Sequence, residues 1–394
     1  MKKQFSADRN LIRAINRSIV LNAVKNHGPI SRTDLAQLTG LSPASISNIS
    51  SALIQTGLIF EKESGDSSGG RKPVLLALDP RGGYVIGIKL TEFQVSATLT
   101  DLEATVILNR SAAMDSKDPQ VILEYLSAMV QDIIASQHIP QGKLLGIGLG
   151  LAGIISTQEG VLRYSPVFGW RNLPIGQILK DKLNVPVYLD NDVNTLTITE
   201  QLFGAGRGTD NFLIVTVGRG VGLGIVVNGR IYHGFQGGAG EFGHTVCDEQ
   251  GPLCDCGKHG CLETYVADPF LLQAANRILP QPAGDIEEVI RLAKQGQSDL
   301  QTIFTIAGRK LGQGIANLIN VLNPQLIIIS GEGVRAGDLL FDPMRSAIRT
   351  NTIEGLADDT RIQIDSWEDF AWARGAASLV LQELFKSPWE INKS

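Results

Sequence analysis

Apolar residues recur at helical spacing over residues 9–26, where Leu11, Ile12, Ile15, Ile19 and the Ala23/Val24 pair mark one face. His27-Gly28-Pro29 stops that run. Ser31 reads as an N-cap with Asp34 near the positive helix end, predicting a short helix over 32–39 closed by Gly40. Ser42-Pro43 reads as N-cap and first position of a third helix, reaching about residue 56 and closed by Gly57. Ile46, Ile49 and Leu53 share its apolar face; Ala44, Ser45, Ser47, Asn48 and Ser51 share the other. Two strands follow, 58–62 and 74–78, separated by the loop ESGDSSGGRKP.

Past residue 84 the pattern changes to alternating strands and helices. Residues 84–91, 94–100 and 105–110 read as a three-strand meander, followed by a helix over 119–137, a buried apolar strand over 144–151 and a helix over 174–183. A strand at 187–189 and a helix at 193–203 complete a βββαβαβα order. The order then restarts with strands at 212–217, 223–227 and 230–233. Helices follow at 269–278, 286–294 and 300–322, then strands at 326–330 and 361–365 and a final helix at 371–385. The expected class is α/β: a head over 1–80 and a body over 81–394. The body divides into lobes of about 81–205 and 206–394, with the last helix free to return to the first lobe.

Composition adds two constraints. With 43% hydrophobic and 19% charged residues, the 394-residue chain is ordinary for a soluble globular protein. No apolar run approaches the ~20 residues that span a membrane. The start MKKQFSADRN leads into no uninterrupted apolar core, so the expectation is a cytoplasmic protein with no membrane partner. Charge is uneven: residues 1–80 hold ten Lys/Arg against six Asp/Glu, within totals of 35 and 40. A basic head on an acidic body suits an anionic partner such as nucleic acid.

Two short helices joined by a Gly turn, then a hairpin, is the winged helix-turn-helix pattern. Ser42, Ala44, Ser45, Ser47, Asn48 and Ser51 are small and mostly polar, which suits close approach to a major groove. Gly-Gly-Arg71-Lys72-Pro lets a backbone enter a narrow minor groove, where the two cations meet concentrated negative potential. The competing reading of the helix is an ordinary solvated face, and of the whole head a contact surface for protein.

All four cysteines lie between Gly237 and Tyr265, in GGAGEFGHTVCDEQGPLCDCGKHGCLETY. His244, Cys254, Cys256 and Cys261 supply the imidazole and three thiolates of a tetrahedral structural zinc site. Two disulfides are the alternative, disfavoured by the expected reducing compartment. Cys247 reads as a small buried residue that could replace one ligand, and His259 could compete with His244.

The run GAGEFGH followed by CxCGxxGCxE resembles the signature of the ROK family, which groups repressors, open reading frames of unassigned role and sugar kinases. The resemblance implies an actin-like sugar-kinase body in two α/β lobes, with a structural zinc beside a sugar pocket and the zinc-binding histidine also touching the sugar. LDNDVN and the Gly150–Gly153 turn resemble the family's sugar-side motifs. Gly153, Asn191, Asp192, Glu241, His244 and Glu263 are thereby implied as the pocket for a monosaccharide effector. In the family's kinases the residue matching Asp192 is the general base. GPISRTDLAQLTGLSPASISNISSALIQTGLI with SSGGRKP likewise resembles the operator-binding head of ROK repressors.

The nucleotide side departs from the family's kinases. Where their first strand ends in D-x-G-G-T, this chain has Lys89 at the Asp position and Thr91 and Glu92 at the glycines. Gly218-Arg219-Gly220 holds an Arg at the usual Thr, and Ser330-Gly331-Glu332-Gly333 matches the adenosine-side turn loosely. The expected protein is a non-enzymatic, sugar-responsive repressor acting on operator DNA as a homodimer or homotetramer. The N-terminal run most resembles xylose-responsive members, which favours xylose or a related aldose. The rivals are an ATP-dependent sugar kinase that keeps a DNA-binding head, and a constitutive DNA-binding or scaffold protein with a dead pocket.

Overall fold

The structure, a computed structural model, describes residues 9–63, 74–365 and 370–386. The head begins with α1 (Arg9–His27), β1 (Ile30–Ser31), α2 (Arg32–Thr39) and α3 (Pro43–Gln55), then β2 (Ile59–Glu63) and β3 (Val74–Leu78). Both expected caps are made. Ser31 Oγ accepts from the Asp34 amide at 3.1 Å and Ser42 Oγ from the Ser45 amide at 3.2 Å, each worth about 1 kcal/mol. Gly40, at φ 69°, closes α2 by donating to the Ala36 carbonyl. α3 buries Ile46, Ser50 and Leu53. Ile49, expected in the core, is half-buried, and Ser50 takes its place. β1, β3 and β2 form a three-stranded antiparallel sheet in that order.

The chain continues through β4 (Tyr84–Leu90), β5 (Gln94–Thr100), β6 (Val106–Ala113), α4 (Pro119–Ser136), β7 (Leu144–Leu151), β8 (Ile154–Ser156), β9 (Val161–Ser165), β10 (Trp170–Leu173), α5 (Ile175–Leu183), β11 (Val187–Asn191) and α6 (Asp192–Phe203). Then come β12 (Phe212–Val217), β13 (Val221–Val227), β14 (Arg230–Ile231), α7 (Glu263–Val266), α8 (Asp268–Asn276), α9 (Ile286–Lys294) and α10 (Ser298–Leu322). The chain closes with β15 (Leu326–Ser330), α11 (Asp338–Asn351), α12 (Leu356–Asp359), β16 (Arg361–Ile364) and α13 (Ala371–Phe385).

Two five-stranded sheets repeat one topology. The first runs β6-β5-β4-β7-β11 and the second β14-β13-β12-β15-β16. In both, an antiparallel meander is extended past its first strand by two strands reached through helices. In the second sheet β12, β15 and β16 are parallel, Phe212 pairing with Leu326 and Leu326 with Arg361. Their near-continuous apolar sequences, FLIVTV and LIIIS, fit strands covered on both faces.

Besides the short β1, α7 and α12, two larger parts of the fold were not expected from the sequence. β8, β9 and β10 form a small antiparallel sheet in the order β10-β9-β8. Its strands of three to five residues are too short to show a period. α11 carries Pro343 inside it, which breaks the helical signal.

By its internal contacts the chain forms two compact units, one of residues 1–149, 175–188 and 376–394, the other of 150–174 and 189–375. In the first unit α1 is tied to the end of α13. Asn22 Nδ2 donates to the Phe385 carbonyl at 2.6 Å, and Lys25 Nζ lies 4.2 Å from the Phe385 ring centre. Lys143 Nζ also donates to the Gly82 carbonyl at 2.9 Å.

Candidate functional site

Gly153, Asn191, Asp192, Glu241, His244 and Glu263 all belong to the second unit. Asn191 ends β11 and caps α6, its Oδ1 accepting from the Val193 amide at 2.9 Å. Its Nδ2 donates to the Gly153 carbonyl at 3.1 Å, which joins two of the expected residues directly. Gly153 sits at φ 142°, and a Cβ there would lie 2.5 Å from the Tyr164 carbonyl oxygen, so no larger residue fits. Asp192 opens α6, where a carboxylate is favoured by the helix dipole.

Glu241 precedes a 3-10 turn over Phe242–His244. Burial pushes its carboxyl above the ordinary glutamate range; Glu263 and Asp192 add to the rise and His244 opposes it. Glu263, Asp192 and His244 therefore all lie near enough to Glu241 to act on it. His244 faces two ways: Nε2 is 3.9 Å from Glu241 Oε2, and Nδ1 is 3.5 Å from Cys254 Sγ. Glu263 Oε2 accepts from the Val221 amide at 3.2 Å, while its Oε1 is 3.9 Å from Cys254 Sγ.

His244, Cys254, Cys256 and Cys261 form a cluster able to hold a metal ion, with their ligand atoms all within 4.8 Å of one another. All four cysteines are free thiols, so the two disulfides of the alternative reading are not formed. Cys247 and His259 lie outside the cluster. The Cys247 amide donates to the Gly260 carbonyl and its carbonyl accepts from Lys310 Nζ, and His259 Nδ1 is 3.0 Å from the Gly251 carbonyl. Burial, reinforced by the neighbouring sulfurs, pushes the Cys254 thiol up to about 12. A cation that takes its sulfur as thiolate displaces that proton.

The glycine loop before β13 presents carboxylates where a phosphate binder presents free amides. Glu332 packs against Gly218, its Oε2 only 2.3 Å from where a Cβ on that glycine would stand. Glu263 takes the Val221 amide, and Gly218 N–H donates to the Gly220 carbonyl at 3.1 Å. In the first unit the turn after β4 closes on itself: the Thr91 amide and hydroxyl donate to the Gln94 carbonyl, and Thr91 Oγ1 accepts from the Gln94 amide. Glu92 pairs with Lys117 at 2.6 Å.

On α3, Ala44, Ser47, Asn48 and Ser51 are exposed, as is Ser42 at its cap, and Ser45 is half-buried. These residues share the face opposite Ile46 and Leu53. Arg71 and Lys72 lie outside the described residues. Sequence reasoning missed Asp190 and His233, which form a 2.8 Å pair beside Asn191. The only signal was position, one residue before Asn191-Asp192 and a few before the GAGEFGH run.

The fold and this cluster define an α/β protein of the sugar-kinase architecture. The ROK family profile matches residues 85–383, and the chain belongs to the ROK family. The xylose repressor of Bacillus subtilis (strain 168) is 29% identical over 375 residues, covering 95% of this chain and 97% of that protein. The crystal structure of a ROK family transcriptional regulator, a homolog of the E. coli MLC protein, matches with a TM-score of 0.83 at 27% identity. It covers 95% of this chain and 97% of its own. A ROK family glucokinase from Streptomyces griseus, solved with glucose and AMPPNP, matches with a TM-score of 0.66 at 25% identity, covering 99% of its own chain but 75% of this one.

Proposed function

We propose that this protein is a sugar-responsive transcriptional repressor whose first 80 residues are a winged helix-turn-helix and whose body binds a monosaccharide. The observation that carries the proposal is the coverage by a regulator of the same family along 95% of the chain, head included. The family's kinase leaves a quarter of this chain unmatched. Support for the head comes from the capped α2–α3 pair, the antiparallel hairpin and the small polar face of α3. In this reading α3 enters the major groove through Ser42, Ala44, Ser45, Ser47, Asn48 and Ser51, and Arg71 and Lys72 of the wing meet the minor groove. The protein acts as a homodimer or homotetramer, so that two heads meet two half-sites.

The sugar is held by Gly153, Asn191, Asp192, Glu241, His244 and Glu263. A monosaccharide is a ring of hydroxyl donors, and three carboxylates with an amide oxygen supply the acceptors it requires. His244 Nδ1 faces the sulfurs, which leaves Nε2–H as a donor aimed at Glu241 or at a sugar oxygen. Zinc is the metal assigned to the cluster. Thiolates at about 2.3 Å and imidazole at about 2.0 Å would give tetrahedral edges of about 3.8 Å and about 3.5 Å. Cys256 and Cys261 are 3.6 Å apart, and Cys254 and His244 3.5 Å, in keeping with those edges. Bound there, zinc supplies a cross-link and fixes the histidine tautomer.

Xylose or a related aldose is the favoured effector, supported by relatives named as xylose repressors. Kinase chemistry is disfavoured by Lys89, Thr91 and Glu92 and by the carboxylates of Glu332 and Glu263 on the glycine loop, which would repel ATP phosphates. Sugar binding favours an arrangement of the chain with low operator affinity, and a preference of a few kcal/mol is enough to release DNA. Calorimetry with D-xylose, D-glucose and N-acetyl-D-glucosamine, followed by operator release with the sugar that binds, tests the proposal.

A further inference from the structure

The proposed pocket is assembled from segments about fifty residues apart. One is the β11–α6 junction carrying Asn191 and Asp192; the other is the turn carrying Glu241 and His244. A single buried carboxylate joins the first segment to His233, eight residues before Glu241. Asp190 is 3% exposed. A carboxylate so placed is costly unless each oxygen finds donors. Its Oδ1 accepts from the Asn191 amide at 2.7 Å and from Asn194 Nδ2 at 2.9 Å, which fixes the junction. Its Oδ2 is 2.8 Å from His233 Nε2.

His233 stands at the base of the second segment. Its carbonyl accepts from the Ala239 amide at 3.1 Å and closes the loop Gly234-Phe235-Gln236-Gly237-Gly238. Three of those five residues are glycine, and Phe235 is 97% exposed, so little within the loop itself orders it. Glu241 follows Ala239 by two residues. The path from the Asp190 carboxylate to Glu241 is thus one side-chain bond, one loop-closing bond and a turn.

We propose that Asp190 and His233 are positioning residues for the sugar pocket. Their pair sets how far Glu241 and His244 stand from Asn191 and Asp192. Neither residue need touch the sugar. The inference rests on the sugar reading above for its consequence, but the coupling between the two segments stands on the geometry alone.

The test uses full-length protein with His233→Ala, His233→Gln and Asp190→Asn. Two readouts are taken: calorimetry with D-xylose, D-glucose and N-acetyl-D-glucosamine, and hydrogen exchange of peptides covering 190–195 and 233–242. His233→Ala is expected to raise exchange in both peptides and to weaken sugar binding by about ten- to hundredfold, as small misplacements in a preorganised site do. Gln can present a side-chain N–H towards Asp190, so His233→Gln is expected to recover most of both losses. Operator affinity without sugar and metal content should not change. If His233→Ala lowers Tm while sugar affinity and the exchange of 190–195 stay at wild-type values, the pair is structural only and the proposal falls. If wild type binds none of the three sugars, the sugar reading fails. Exchange then decides alone: a rise confined to 233–242 overturns the coupling, and a rise in both peptides upholds it.

Discussion

Removing the metal from the His244–Cys261 cluster should loosen the loop and weaken the sugar pocket together. A metal bound there cross-links residues 244 and 261, with 254 and 256 between them. Closing a loop of this length costs an unrestrained chain about 3 kcal/mol of conformational entropy, which the cross-link removes. Other ties on the loop are two isolated bridges, Val246 to Cys261 and Leu253 to His259, several backbone bonds, and side-chain bonds from Tyr265 to Asp248, Lys310 to the Cys247 carbonyl, Lys258 to the His244 carbonyl and His259 to the Gly251 carbonyl. Cys256 is exposed, so a chelator can reach the cluster from one edge. Loss of the metal also frees His244 Nδ1, and with it the orientation that leaves Nε2 towards Glu241. The assay is sugar calorimetry with hydrogen exchange of residues 245–262, before chelation, after it, and after zinc is restored. The expected result is one zinc per chain, faster exchange across the loop and at least about tenfold weaker sugar binding on chelation, reversed by zinc. Cys247→Ser should leave all of this unchanged. Metal-free protein that keeps both its loop protection and its sugar affinity would show that the metal holds neither the loop nor the pocket.

Three further outcomes are expected. Glu263→Gln replaces a charged acceptor by a neutral one and should weaken sugar binding by about 1.5–3 kcal/mol, or about ten- to hundredfold, read by calorimetry. A coupled assay with ATP, magnesium and a broad sugar panel should stay at background; turnover on the order of 1 s⁻¹, usual for enzymes, would restore the kinase reading. Glu200 is held above the ordinary glutamate range, first by burial and then by Asp365, against the Ala205 amide and Arg374. Burial therefore penalises its ionised form in the fold, and stability it contributes when protonated is lost as pH rises through its folded value. Glu200→Gln keeps an acceptor for Ala205 and should raise Tm at pH 7.5, a gain that should shrink as the pH is lowered through that value; a gain that is the same at both pH values would contradict the assignment.

The first three helices were legible because their signals are local. Ser31, Gly40, Ser42 and Pro43 each act within one helical turn, and all four stand where expected. The cluster of His244, Cys254, Cys256 and Cys261 was legible because ligand chemistry restricts residue type and the spacing is short. The repeated sheet order was visible in the succession of elements, since each strand carries its own apolar run. What stayed hidden depends on distant partners. β8, β9 and β10 are ordered by pairing with one another and by the Phe168–Trp170 stack at 4.5 Å, not by their own propensity. α11 forms despite Pro343 because its buried face packs along α10. Asp190 and His233 are 43 positions apart, and nothing in either segment announces the other.

Sugar sensed by the body should control the head's grip on DNA. The measurement is a fluorescence anisotropy titration of operator duplex, selected by the protein from random sequence, with and without the sugar that binds, at two salt concentrations. Wild type should lose operator affinity when sugar is added. Asp192→Asn should bind operator as wild type does but fail to release it. Arg71→Ala and Lys72→Ala should each weaken DNA binding, lower its salt dependence by about one counterion, and leave sugar binding intact. Pocket variants that lose DNA binding, with wing variants that keep it, would mean that sensing and DNA reading are not divided between these two regions.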